Sequence, residues 1–216
     1  MSPLIIYCYD AYCGWCYGFS PVIKKIAEDF KDRLEVEVLS GGMMIGEEAM
    51  PIEKIGPFIQ RSYKRVEDLT GIKFGEDFLW HINNPGKSDW VMNSEKPAIA
   101  LSIFKEYYPG RQLEFAIDLQ YALNYEGRDL DDDEAYRHLL EKYSIQPEAF
   151  YSKLNSEEYK GSAYYEFALV KQLQVSGYPT VFIQTSESKF FMVARGFTDY
   201  EDIRDRIENI LENTGK

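Results

Sequence analysis

The sequence predicts an α/β fold in which strands from both ends of the chain form one sheet around a long helical insertion. Three observations predict it. Strand signals stand near the N-terminus and return after residue 180, with none convincing between residues 47 and 155. Helical periodicity fills that gap. The motif Cys13-Gly14-Trp15-Cys16 lies where the first strand turns into the first helix. The terminal strands must share one sheet, so the chain divides into residues 1–46, an insertion over 47–156, and residues 157–216.

The first strand is Leu4-Ile5-Ile6-Tyr7-Cys8-Tyr9, a continuous apolar run that reads as buried on both faces. Residues 16–30 are amphipathic and predict a helix. Residues 34–39 alternate as Leu-Glu-Val-Glu-Val-Leu and predict a second strand, broken by Gly41-Gly42. Met43 and Met44 read as core fillers. The insertion opens with a helix over 51–70, punctuated by Gly56-Pro57, and a short helix over 75–82. Asn83-Asn84-Pro85-Gly86 is a loop. Helices follow over 96–107, closed by Pro109-Gly110, and over 111–125.

The acidic run over 129–134 directly precedes a helix over 134–143, and aspartates suit a helix start. It reads as a cap rather than a cation site, because a calcium loop spreads its ligands over about a dozen residues around a glycine. Pro147 opens a further short helix. A long helix spans 157–175, and Ser176-Gly177-Tyr178-Pro179 is a turn. Strands over 180–184 and 190–194 form a hairpin through Ser186-Glu187-Ser188. A helix over 200–213 closes the chain.

The chain has 216 residues and a formal net charge of −12. That balance argues against nucleic acid or an anionic membrane as partner, since both need a basic face. No apolar run reaches transmembrane length. Met1-Ser2-Pro3 leads straight into the first strand without a basic and apolar leader, so the expected location is cytoplasmic.

The two thiols of Cys13 and Cys16 carry the chemistry. A cysteine at a helix N-terminus sits where the macrodipole favours negative charge, and the thiolate is the reactive form. The second cysteine, one turn on, can bridge back to it. Zinc sites also use this spacing but need further ligands, and Cys8, His81 and His138 form no second pair. A structural disulfide suits small secreted scaffolds, which this chain does not resemble. A reversible dithiol is the favoured reading over a zinc site or an inert pair, and no metal is expected.

These residues together resemble the DsbA-like branch of the thioredoxin superfamily, and its cytoplasmic protein-disulfide-isomerase subgroup in particular. The stretch from Tyr9 to Phe19, Pro21 in the following helix, the Gly177-Tyr178-Pro179-Thr180 loop and the helical insertion carry the resemblance. It implies a thioredoxin fold with an inserted all-helical domain, and thiol–disulfide oxidoreductase activity as a disulfide reductase or isomerase. It implies Cys13 as the attacking thiolate and Cys16 as the buried resolving thiol. It places a cis Pro179 opposite the dithiol and Gly14, Trp15 and Tyr178 around it. The expected substrates are disulfide-containing proteins or small thiols. No cofactor is implied beyond the dithiol, with glutathione or another thiol as co-substrate.

The chain departs from that family in places. Tyr7 stands where relatives often carry a buried acid that moves protons for the second thiol. Gly-Trp replaces the usual dipeptides between the cysteines. Trp15 is either a substrate platform or a ring covering the dithiol, and Tyr178 either contacts substrate or packs its loop. Asp10 is either a proton acceptor or a loop residue capping the helix, and capping is the simpler role. Cys8 is expected to be buried and uninvolved. Two other functions share the architecture: a kappa-class-like glutathione transferase or isomerase, against which Cys16 speaks, and a redox-sensing adaptor for a protease.

Overall fold

The computed structural model describes residues 3–214. Met1, Ser2, Gly215 and Lys216, the outer ends of the first and last expected segments, lie outside the described residues. Strand β1 (Leu4–Tyr9) runs parallel to β2 (Glu35–Ser40) and antiparallel to β5 (Thr180–Ser186), which pairs with β6 (Lys189–Arg195). The sheet order is β2-β1-β5-β6. The two ends of the chain therefore meet in one mixed sheet, with β1 in its interior. Alternate residues of β1 serve opposite faces. Ile5, Tyr7 and Tyr9 enter the main core, while Ile6 and Cys8 join Leu39, Val170 and Phe182 on the other side.

Helix α1 (Gly14–Asp29) follows β1 and contains Pro21. Between β2 and helix α8 (Glu157–Gln172) lie α2 (Ile52–Thr70), α3 (Glu76–Asn83), α4 (Glu95–Tyr107), α5 (Gln112–Asn124), α6 (Arg137–Lys142) and α7 (Pro147–Leu154). Helix α9 (Tyr200–Thr214) closes the chain. The acidic run is a cap: the Asp132 carboxylate accepts the Glu134 N–H at 3.0 Å, opening a tight turn over Asp133–Tyr136.

The structure corrects three expectations. The insertion is not all-helical, because β3 (Met50–Pro51) and β4 (Val91–Met92) pair across it. A two-residue ladder is too short to leave a periodic trace in sequence. The helix expected over 157–175 stops at Gln172, since Gln174 adopts a positive φ of 56°. Met44 is buried as expected, but Met43 is 38% exposed. Among the described residues no helix is long and apolar enough to cross a membrane.

Candidate active site

Cys13 is the N-cap residue of α1. Its backbone is extended (φ −84°, ψ 106°), and its sulfur accepts the Cys16 backbone N–H at 3.3 Å. The thiol thus stands where a Ser or Asp oxygen holds most helix starts, facing first-turn amides that lack intrahelical partners. The preceding turn is closed by the Cys13 N–H donating to Asp10 O at 3.1 Å. Cys13 keeps 7% of its surface and Cys16 none. Burial pushes the Cys16 thiol well above its ordinary range, and the neighbouring Cys13 adds to that shift.

The proline loop closes on the dithiol. The Tyr178–Pro179 bond is cis, and Cys13 Sγ lies 3.6 Å from Tyr178 O as its donor. Pairing of β5 with β1, with Thr180 opposite Cys8, brings this loop alongside the end of β1. The Tyr178 hydroxyl donates to Gly41 O at 2.9 Å, and a Cβ on Gly41 would stand 2.3 Å from the Tyr178 ring. Its ring is half-buried and packs against the loop after β2, with its hydroxyl committed there. Trp15 is half-buried at the margin of the main core. Gly14 faces Phe74, 3.4 Å from where a Cβ would be, and Phe74 meets Tyr17 edge-on at 5.3 Å.

Asp10 does not cap the helix, because Cys13 fills that place. Its carboxylate is buried and joins three separate segments. Oδ1 accepts the Tyr12 N–H at 3.0 Å and the Ser94 hydroxyl at 2.9 Å, and Oδ2 accepts the Met43 N–H at 2.8 Å. Burial raises this carboxyl above its ordinary value, against the pull of those donors. Gln120 of α5 donates to Asp10 O at 3.2 Å and meets the Ser20 hydroxyl at 3.1 Å. Ser20 in turn donates to Cys16 O. Ser94, Gln120 and Gly41 escape sequence reading because they come to the site only through the fold, from up to 110 positions away.

Cys8 is buried on the opposite face of β1, and burial pushes its thiol up to about 12. The histidines lie outside the site with partners of their own. His81 meets the Ser88 hydroxyl at 2.7 Å and stacks on Trp90, and His138 meets Glu126 at 3.0 Å.

The family model described as a DSBA-like thioredoxin domain matches residues 4–208. No curated protein sequence matches the chain significantly. A solved structure titled a "putative protein disulfide isomerase", from Nitrosomonas europaea, superposes with a TM-score of 0.85 at 22% identity, covering 99% of each chain. The cytosolic disulfide reductase DsbM from Pseudomonas aeruginosa is similar with a TM-score of 0.75 at 25% identity, covering 97% of this chain and 98% of that one. A second structure of that reductase, with GSH, gives a TM-score of 0.73 at 26% identity, covering 97% and 99%. With its match over nearly the whole chain, this protein belongs to the DsbA-like thioredoxin-domain family and is a thiol–disulfide oxidoreductase.

Proposed function

We propose that the protein is a disulfide reductase or isomerase that works through the Cys13–Cys16 dithiol, with disulfide-bonded proteins or small disulfides as substrates. The Cys13 thiolate attacks one substrate sulfur. The Cys13–substrate S–S bond forms, the substrate S–S bond breaks, and the first half leaves as a thiolate that takes a proton from water. Cys16, as thiolate, then attacks Cys13 Sγ, closing the Cys13–Cys16 disulfide and releasing the second half. The substrate gains two electrons and the protein loses them. Two molecules of a small thiol such as glutathione return them and become a disulfide.

The observation that carries this reading is the asymmetry of the pair. One cysteine caps the helix beside the cis-proline loop and keeps 7% of its surface, and the other keeps none. Gly14, Trp15, Tyr178 and Pro179 frame the approach to Cys13. The likeness to a cytosolic reductase, one structure of which is with GSH, supports a small thiol as co-substrate and a cytoplasmic location.

The test is trapping. Cys16→Ser removes release while leaving Cys13 and its helix terminus intact. It is expected to accumulate disulfide-linked partners in cells, seen as high-mass bands on non-reducing gels that vanish with reductant. Cys13→Ser is expected to trap few or none. If Cys16→Ser traps nothing and Cys13→Ser still binds its cellular partner, an adaptor is the correct reading. Glutathione conjugation that survives loss of Cys16 would instead favour a kappa-like transferase.

A further inference from the structure

Tyr7 sits in mid-β1 with no exposed surface, and its buried hydroxyl makes no hydrogen bond among the described residues. Such a hydroxyl costs folding free energy that phenylalanine would not, so its presence asks for an explanation. Other tyrosine hydroxyls are also unpartnered, among them those of Tyr12 and Tyr151. Tyr7 differs in what it faces. Its ring is set by Tyr9 and Phe19 at centroid distances of 5.7 and 6.1 Å, on the side of β1 that holds the dithiol. There the Cys16 and Cys13 thiols both act on its hydroxyl, Cys16 the more strongly.

Cys16 needs a donor at that point. To attack, it must become a thiolate although it has no exposed surface of its own. The groups facing it are Cys13 on α1, Asp10 in the turn, Tyr7 and Tyr9 on β1, and Tyr178 in the proline loop. The Asp10 carboxylate repels a thiolate, while the Asp10 backbone N–H favours it. The Tyr178 hydroxyl is committed to Gly41. The Tyr7 hydroxyl is uncommitted.

We propose that Tyr7 is a positioning residue for the resolving step, its hydroxyl donating a hydrogen bond to the Cys16 thiolate as that sulfur attacks Cys13. This rests on the assignment of Cys16 as resolving thiol. The Cys16 proton is lost to water before attack. The Cys16–Cys13 bond forms, the Cys13–substrate bond breaks, and the leaving thiolate takes a proton from water. Tyr7 keeps its own proton throughout and exchanges no electrons.

The experiment loads Cys13 with nitrothiobenzoate as a mixed disulfide and follows the coloured thiolate released by Cys16 against pH. Tyr7→Phe is expected to slow release on the order of tenfold at neutral pH and to raise the midpoint by about one unit, the effect of losing one hydrogen bond to a charged group. The alkylation rate of Cys13 is expected not to change. Site-specific fluorotyrosine at position 7, with a more acidic hydroxyl on the same ring, is expected to move the midpoint the other way. Unchanged release and midpoint in Tyr7→Phe would overturn the proposal, and so would slower release with an unmoved midpoint, which reports packing alone. Should Tyr7→Phe not fold, the near-isosteric fluorotyrosine protein decides, and an unmoved midpoint there overturns it. A wild-type protein that accepts the probe but never releases it would refute the resolving role of Cys16 itself.

Discussion

Removing the Asp10 carboxylate is expected to loosen the whole site, and the structure sets the size of the effect. The side chain is 2% exposed and accepts two backbone N–H groups and the Ser94 hydroxyl. Asp10→Ala leaves the Tyr12 and Met43 amides without acceptors, at about 1–3 kcal/mol each. The Ser94 hydroxyl can turn elsewhere, and the variant no longer buries a charge, which offsets part of the loss. A net cost of about 3 kcal/mol follows at neutral pH, a large share of a typical stability of roughly 5–15 kcal/mol. Asp10→Asn keeps one acceptor oxygen and sets its NH2 group against the Met43 N–H, so about 1–2 kcal/mol is expected. Burial raises the folded carboxyl above its ordinary 3.8, so the folded chain holds this proton longer than the unfolded one. The stability gained from that proton is full below the ordinary value and is lost as pH rises through the folded one. The gap between wild type and Asp10→Asn therefore narrows over that window. Urea unfolding of the three proteins across pH measures all of this. A cost below about 1 kcal/mol for Asp10→Ala, or a gap that widens with pH, would refute the reasoning.

Three further outcomes are expected. Cys8→Ala should leave turnover unchanged at a cost of about 1 kcal/mol, since Cys8 lies on the far face of β1; peptide mapping after native alkylation should find label on Cys13 and none on Cys8. Gly41→Ala forces a methyl into the Tyr178 ring and should cost about 1–3 kcal/mol and lower turnover, whereas Tyr178→Phe, which loses only the bond to Gly41 O, should do less. Paired activity and melting measurements on both rank them. Lys105 pairs with Glu37 and with Glu166, each at 2.7 Å, and the Glu166 side chain is only 9% exposed. Lys105→Met strands that carboxylate and should cost about 3–5 kcal/mol, and a variant as stable as wild type by urea titration would contradict it.

The sequence by itself determined much of this protein. Apolar periodicity located β1, β2, β5 and β6 and most helices, because burial imposes a period of two or of three to four residues. The position of Cys13 at a helix start was legible for the same reason, since strand, turn and helix are consecutive. Tertiary structure decided the rest. Capping of α1 by the Cys13 sulfur, rather than by Asp10, depends on Asp10 finding better donors in Ser94 and Met43. No local rule connects a turn to residues tens of positions away. The β3–β4 ladder and the exposure of Met43 likewise depend on neighbours brought from elsewhere. Tyr7 shows the division most clearly. Its place in a buried strand follows from an apolar run, but that its hydroxyl is left unpaired against Cys16 follows from how α1 packs on the sheet. Local chemistry is written along the chain, whereas the partners of a buried polar group are set by which surfaces the core presses together.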